Sequence, residues 1–308
     1  MPFEIEQFVR SVEKKRIDLI GVNVRKDDRE IGDYLWRTND RLDMKSSSKG
    51  VTSLAVGIAV DEGLLSIDER VVDCLKEYLP QVISEKWADV TIRDLLTMTS
   101  GHDHNVIKPT NFEAAGSNWI EYILMDAPTL KPGSKFIYNN AAPFLCGCII
   151  ETRSGKTVRD YLMPRLFKPL DIFFPQWFTC PAGHTRCMGG LFLNRFELAK
   201  LGQLCLNEGV WKGKQIVSAA WIREASRLQV HQKTCVDDVN KMPEKDFAAG
   251  YGYYFWRNEK GGYRFNGRYG QFCLVLPEHN AVVTTTGLER FNEQGILDSI
   301  WETIIPQL

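Results

Sequence analysis

Apolar side chains near the start of the chain recur at Ile5, Phe8, Val9 and Val12, a three-and-four spacing that predicts an amphipathic helix over residues 4–15. The period then shortens. Residues 18–24 and 30–36 predict two short strands around the polar turn Lys26-Asp27-Asp28. A helical stripe follows at Val51, Leu54, Ala55, Ile58 and Ala59, and Gly63 supplies its stop. Residues 92–98, 119–125 and 141–152 predict further helices, punctuated by Pro128, Pro132-Gly133 and Ser154-Gly155. From Gly250 the pattern turns to strands, at 251–257, 263–265, 272–276 and 281–286, with turns at 260–262 and 277–280. Ile296, Leu297, Ile300, Trp301 and Ile304 predict a closing amphipathic helix.

Strands and a helix at both ends, with helices between, predict an α+β fold: one antiparallel sheet built from both termini, flanked by helices and holding a helical insertion. The expected division puts residues 1–65 and 210–308 in the α/β part and 66–209 in a mainly helical part, within one domain spanning 1–308. No repeat, low-complexity run or linker interrupts it.

Charge adds an exclusion. With 38 Lys+Arg against 39 Asp+Glu and no run of one sign, nothing points to a nucleic acid or an anionic membrane as partner. Residues 1–20 lack an apolar signal core and no stretch is long enough to span a bilayer, so a cytoplasmic protein is expected. Eight cysteines, at 74, 146, 148, 180, 187, 205, 235 and 273, lack C-x-x-C spacing and read as buried reduced thiols.

Candidate chemistry centres on Ser46-Ser47-Ser48-Lys49 at the head of the Val51 helix. A spacing of three puts Ser46 and Lys49 on one helical face, and a desolvated lysine amine can act as base toward a hydroxyl. The plainer reading of Ser46 is an N-cap. The spacing alone decides nothing, because Ser11-Val12-Glu13-Lys14 repeats it inside the charged first helix. Tyr138-Asn139-Asn140, the one Y-x-N in the sequence, adds a hydroxyl able to relay a proton and an amide able to orient lysine and substrate. Its plainer reading is a helix-entry aromatic with Asn140 as N-cap.

The order S-x-x-K, Y-x-N, then a glycine on a late strand resembles the serine β-lactamase and penicillin-binding-protein superfamily. Asp43 to Lys49, Asp61-Glu62-Gly63-Leu64, the Thr91 to Gly101 stretch (with Met98 where histidine is usual), Gly189-Gly190-Leu191 and Tyr269-Gly270-Gln271 are similar to it as well. The likeness runs from about residue 17 to 288 and is nearest the class C-like esterase and amidase branch, including nylon-oligomer hydrolases. It implies a β-lactamase/transpeptidase-like fold and a serine hydrolase that needs no cofactor or metal. Ser46 would be the acylated nucleophile, Lys49 its base, Tyr138 the proton shuttle and Asn140 a positioning residue. The implied substrate is a small ester, amide or short peptide; the natural substrate and oligomeric state stay open.

The third motif departs from the superfamily's Lys-Thr-Gly or His-x-Gly. Lys260-Gly261-Gly262 keeps its first and last residues but reads as a hairpin turn. Phe265-Asn266-Gly267 lacks the basic residue but lies on a strand, and is preferred. Asn266 and Gly267 would then line the substrate, and the backbone N–H groups of Ser46 and Arg268 would form the oxyanion hole. Losing the basic residue weakens the case for substrates with an adjacent carboxylate, β-lactams among them. It also motivates an alternative: a penicillin-binding or sensor-like protein on the same fold that does not hydrolyse.

Rival sites are weaker. Histidines 102, 104, 184, 231 and 279 have no G-x-S-x-G serine to join. His102-Asp103-His104 lacks a third metal ligand at a recognisable spacing. Ser154-Gly155-Lys156-Thr157 resembles the end of a phosphate-binding loop, but Ile150 stands where its first glycine belongs, and a helix cap at Gly155 explains it better. Tyr251, Tyr253, Tyr254, Phe255 and Trp256 read mainly as core and sheet-edge aromatics.

Overall fold

The computed structural model describes residues 2–231 and 245–308. Cys235 and most of the 229–248 loop lie outside that range. The strands are β1 (Leu19–Lys26), β2 (Arg29–Leu35), β3 (Leu42–Asp43), β4 (Phe192–Leu193), β5 (Val210–Trp211), β6 (Lys214–Gln215), β7 (Trp256–Arg257), β8 (Tyr263–Gly267), β9 (Gln271–Leu276) and β10 (Ala281–Gly287). The helices are α1 (Glu6–Lys14), α2 (Ser48–Asp61), α3 (Val71–Cys74), α4 (Ile92–Leu96), α5 (Trp119–Met125) and α6 (Ala141–Ser154). After them come α7 (Val158–Leu162), α8 (Arg195–Leu206), α9 (Ala219–Ser226), α10 (Lys245–Ala248) and α11 (Glu293–Ser299).

Six strands form an antiparallel sheet in the order β2-β1-β10-β9-β8-β7, so the two ends of the chain interleave as expected. Asp27 and Asp28 both take positive φ (50° and 59°), the conformation a tight β1–β2 hairpin demands. Strand alternation sorts the core into two. Cys273, Val275 and Val282 face the side of α2 and α8, while Phe272, Leu274 and Val283 face α1 and α11 through Phe8, Val12, Ile296 and Trp301. The helix α8, which lies in the stretch expected to be the helical part, packs on the sheet. A Cβ on its Gly202 would sit 2.3 Å from Cys273 Sγ.

The stripe predicted for α2 understates its burial. Every residue from Ser48 to Ala59 is buried, because the helix is covered by the sheet on one side and by α6 and α9 on others. Its glycines are contact points: a Cβ on Gly57 would meet Trp221 Cδ1 at 2.3 Å, and one on Gly50 would meet Phe265 Cδ1 at 2.3 Å. Gly155 closes α6 with φ 67°, the cap expected for that Ser-Gly-Lys-Thr run.

One strand expectation fails. Of residues 251–257 only Trp256–Arg257 is a strand. The chain reverses before it, with Gly252 N–H donating to Phe255 O at 2.8 Å and Tyr254 in the left-handed region at φ 67°. Alternation could not reveal this turn, since all five aromatics of the run are buried whichever way they point. The seven cysteines among the described residues are free and buried. No helix among those residues is long and apolar enough to cross a membrane.

Candidate active site

The segment that carries the candidate nucleophile Ser46 is a short 3-10 turn, Lys45–Ser47, leading into α2. Asp43 on β3 pins it. Its carboxylate accepts from Lys45 N–H (2.9 Å), from Lys45 Nζ (2.7 Å) and from Gly190 N–H (3.0 Å). Met44 N–H donates to Leu191 O at 2.8 Å, so the turn is clamped on the 189–191 segment. Ser46 emerges half-buried. Its hydroxyl does not cap the helix; Lys49 Nζ lies 2.8 Å from Ser46 Oγ.

Lys49 is 1% exposed, and its other hydrogen bond runs to Met188 O at 2.9 Å. Among the described residues no carboxylate pairs with it, and desolvation pushes the amine well below the ordinary lysine value. A neutral amine at hydrogen-bond distance from a serine hydroxyl is the arrangement a general base requires. The amine also sits 4.8 Å from the centre of the Tyr138 ring. Tyr138 is half-buried at the entry to α6 and stacks on Trp256 (5.9 Å, 25°).

Asn140 precedes α6 as its N-cap residue, without a side-chain cap, and its N–H donates to Asn105 Oδ1 at 2.8 Å. Among the described residues its amide makes no hydrogen bond to Lys49, and the Met188 carbonyl does the holding instead. Neighbouring Asn139, unremarked in the sequence, is 1% exposed; its oxygen accepts from the N–H of Val106 (3.1 Å) and Ala141 (3.0 Å), tying the 105–107 loop to the helix head. Met98, at the usual histidine position, has φ 60°, and its sulfur lies 3.4 Å from Asn139 N.

The two candidates for the third motif separate in space. Lys260-Gly261-Gly262 forms the β7–β8 loop, with Gly261 and Gly262 at φ 98° and 68°. Phe265-Asn266-Gly267 ends β8 against the nucleophile turn: a Cβ on Gly267 would fall 2.3 Å from Met44 O and 3.0 Å from Ser47 N. Only glycine permits that approach, and it carries the backbone of Arg268 alongside the serine turn. Phe265, the first residue of this candidate motif, is fully buried against Gly50 and Phe255. On the opposite face Arg264 Nε donates to Asn266 Oδ1 at 2.9 Å and engages that oxygen, which leaves the Asn266 NH2 group as the donor.

Beside the turn, a cavity of about 630 Å³ is lined in part by Asp43, Lys45, Tyr269, Gln271 and Arg290. The histidines lie elsewhere. His102 is buried between Ser100 Oγ (3.0 Å) and Asp126 O (3.2 Å), and His104 pairs with Asp103 and Asp126. Among the described residues no group of three or more His, Cys, Asp or Glu side chains could hold a metal ion.

A six-stranded antiparallel sheet backed by helices, with a Ser-Lys pair at the head of its central helix, defines a β-lactamase/transpeptidase-like protein. The chain belongs to the beta-lactamase family, whose family model matches residues 7–287. A beta-lactamase from Yersinia enterocolitica is 28% identical over 134 residues, 44% of this chain and 33% of that protein. A lovastatin esterase from Penicillium rubens is 23% identical over 161 residues, 46% of this chain and 40% of its own length. The aligned stretches thus span well under half of each of these relatives. Among solved structures, the penicillin binding protein from Bacillus halodurans superposes with TM-score 0.73 at 19% identity, covering 96% of this chain and 99% of that one.

Proposed function

We propose that this chain, as one catalytic unit, is a serine hydrolase that cleaves a small ester, amide or short peptide through an acyl-enzyme on Ser46. Relatives support hydrolase function in general. The observation that carries the finer reading is the buried, uncharged-leaning amine of Lys49 at 2.8 Å from Ser46 Oγ. As Oγ attacks the carbonyl carbon, its proton passes to Lys49 Nζ. The negative charge that develops on the carbonyl oxygen meets the N–H groups of Ser46 and Arg268, each such donor being worth about 3 kcal/mol in other hydrolases. Tyr138 passes a proton to the leaving group as the carbon–heteroatom bond breaks. Water then attacks the acyl carbon, giving a proton back through the same groups, and Ser46 regains its hydrogen. Asn266, its oxygen engaged by Arg264, offers NH2 to a substrate carbonyl, and Asn140 helps to position the substrate.

Fluorophosphonate labelling followed by intact-mass spectrometry tests this reading, alongside turnover of short-chain nitrophenyl esters. Labelling and turnover should both vanish in Ser46→Ala, and turnover that survives in that variant overturns the assignment. A second reading, acylation without release, is favoured by Phe265, which fills the position of a basic residue with a buried ring. A penicillin adduct that persists for hours, without ester turnover, would select it.

A further inference from the structure

Phe265 puts a ring where the resemblance leads one to expect a cation, and another cation, Arg186, lies two positions before Met188, whose carbonyl holds Lys49. Arg186 belongs to the hairpin that runs from Trp177 to Leu191 and delivers Met188 to Lys49. Arg186 N–H donates to Phe178 O at 2.9 Å, and its Nε donates to Thr179 O at 3.0 Å. The guanidinium carbon lies 5.1 Å from the ring centre of Phe112, 5.3 Å from Trp119 and 5.6 Å from Phe178. Phe112 and Trp119 stack on each other at 4.5 Å. Arg186 is half-buried, and no carboxylate among the described residues pairs with it. Glu151, which meets the neighbouring Thr185, is spent: it accepts from His184, Thr185 and Val158.

The position matters as much as the environment. Arg186 lies two positions before Met188, whose carbonyl holds Lys49, so its backbone lies within about 15 Å of the Ser46 hydroxyl. Phe112 belongs to the loop that Asn139 and Asn105 fasten to the head of α6, and Phe178 packs on Gly190, whose N–H is held by Asp43. The cation therefore stands where two loops anchored at the site meet. Ring faces hold it and shed water around it, which strengthens attraction for an anion presented at its remaining N–H groups.

We propose that Arg186 is a specificity residue that receives a carboxylate carried by the substrate away from the scissile bond. This rests on the hydrolase reading above and narrows its substrate to acyl or leaving groups bearing a remote negative charge. The test compares 4-nitrophenyl hemiglutarate with 4-nitrophenyl butyrate on the wild-type protein, Arg186→Gln and Arg186→Lys. Arg186→Gln should lower kcat/KM for the charged ester about tenfold or more, chiefly through KM, and leave the neutral ester within about twofold. Adding roughly 0.5 M salt should weaken the charged ester alone. Equal losses on both esters, or no loss on either, overturn the proposal; equal losses make Arg186 a latch between the two loops. Arg186→Lys keeps the charge and should lose less on the charged ester than Gln does, which preserves the test if Gln unsettles the loops. A second arm needs no turnover. Glutarate should raise the Tm of the wild type and not of Arg186→Gln; a rise in both, or in neither, overturns the subsite. If wild type cleaves neither ester and takes no fluorophosphonate label, the hydrolase reading falls while the glutarate titration still decides on Arg186.

Discussion

The run Ser-x-x-Lys occurs twice in this chain, and its two copies end in opposite surroundings. On α1, Lys14 points into water and the Ser11 hydroxyl is bonded to Ser299 Oγ at 3.0 Å, so the pair is split between solvent and the α1–α11 contact. On α2, Lys49 is 1% exposed and bonded to Ser46 and to a backbone carbonyl. The next position sharpens the contrast. Lys15 reaches out to Ser299 and Glu302, whereas Gly50 is bare so that the Phe265 ring can press on the helix. Chemistry in such a pair therefore comes from what is stacked around the amine. Spacing only makes the encounter possible.

The largest expected effect is loss of turnover on one copy only. Ser46→Ala and Lys49→Ala should each lower kcat on a nitrophenyl ester by about 10³-fold or more, while Ser11→Ala leaves it unchanged. Equal sensitivity of both serines would erase the distinction. Lys49→Arg should fail nearly as badly as Ala, because a guanidinium cannot give up its proton; a rate measured across pH checks this. For the wild type, kcat/KM should rise through the lowered Lys49 value and then level off, since only the neutral amine accepts a proton.

The same lowering sets a stability slope. Unfolding returns Lys49 to water, where it titrates near 10.4, so between the folded and unfolded values the unfolded chain holds an extra proton. Stability should rise with pH across that window. Lys49→Met should flatten the slope and raise Tm at neutral pH by a few degrees, even as activity disappears. Thermal melts at several pH values decide this, and a variant less stable than wild type at neutral pH would sink it. Gly50→Ala should cost about 1–3 kcal/mol through its collision with Phe265 and Phe255, read by urea denaturation. The smallest effect belongs to the first copy. Ser11→Ala removes one half-buried hydroxyl contact and should cost about 1 kcal/mol or less.

Most of this frame was legible in the sequence, and what was not has physical reasons. Period and punctuation located α1, α2, α5, α6 and the β8–β10 meander, because each buries one face or both and ends on glycine, proline or polar turns. Residues 251–257 misled because an all-aromatic run has no alternation to break. Met188 was invisible as a partner of Lys49: a backbone carbonyl carries no side-chain signature, and it comes from 139 residues away in sequence. The Arg264–Asn266 contact lies across a strand face that only the pairing register reveals. For the third motif, turn chemistry already favoured Phe265-Asn266-Gly267 over Lys260-Gly261-Gly262, but the contact of Gly267 with the serine turn could not be read from the sequence.

The interleaved sheet also governs when the site can exist. Strand β1 pairs with β10, whose residues follow it by about 260 positions, and Gly267 of β8 must reach the Met44–Ser47 turn. At about 5–20 residues per second of synthesis, the first strand waits roughly 10–50 s for its partner. Ser46 is thus made early but stays without its full surroundings until β10 has left the ribosome. Such long-range pairing slows folding and leaves β1 edges open to other chains in the meantime. A nascent chain halted before β8 would carry Ser46 and Lys49 without the strand that completes their surroundings.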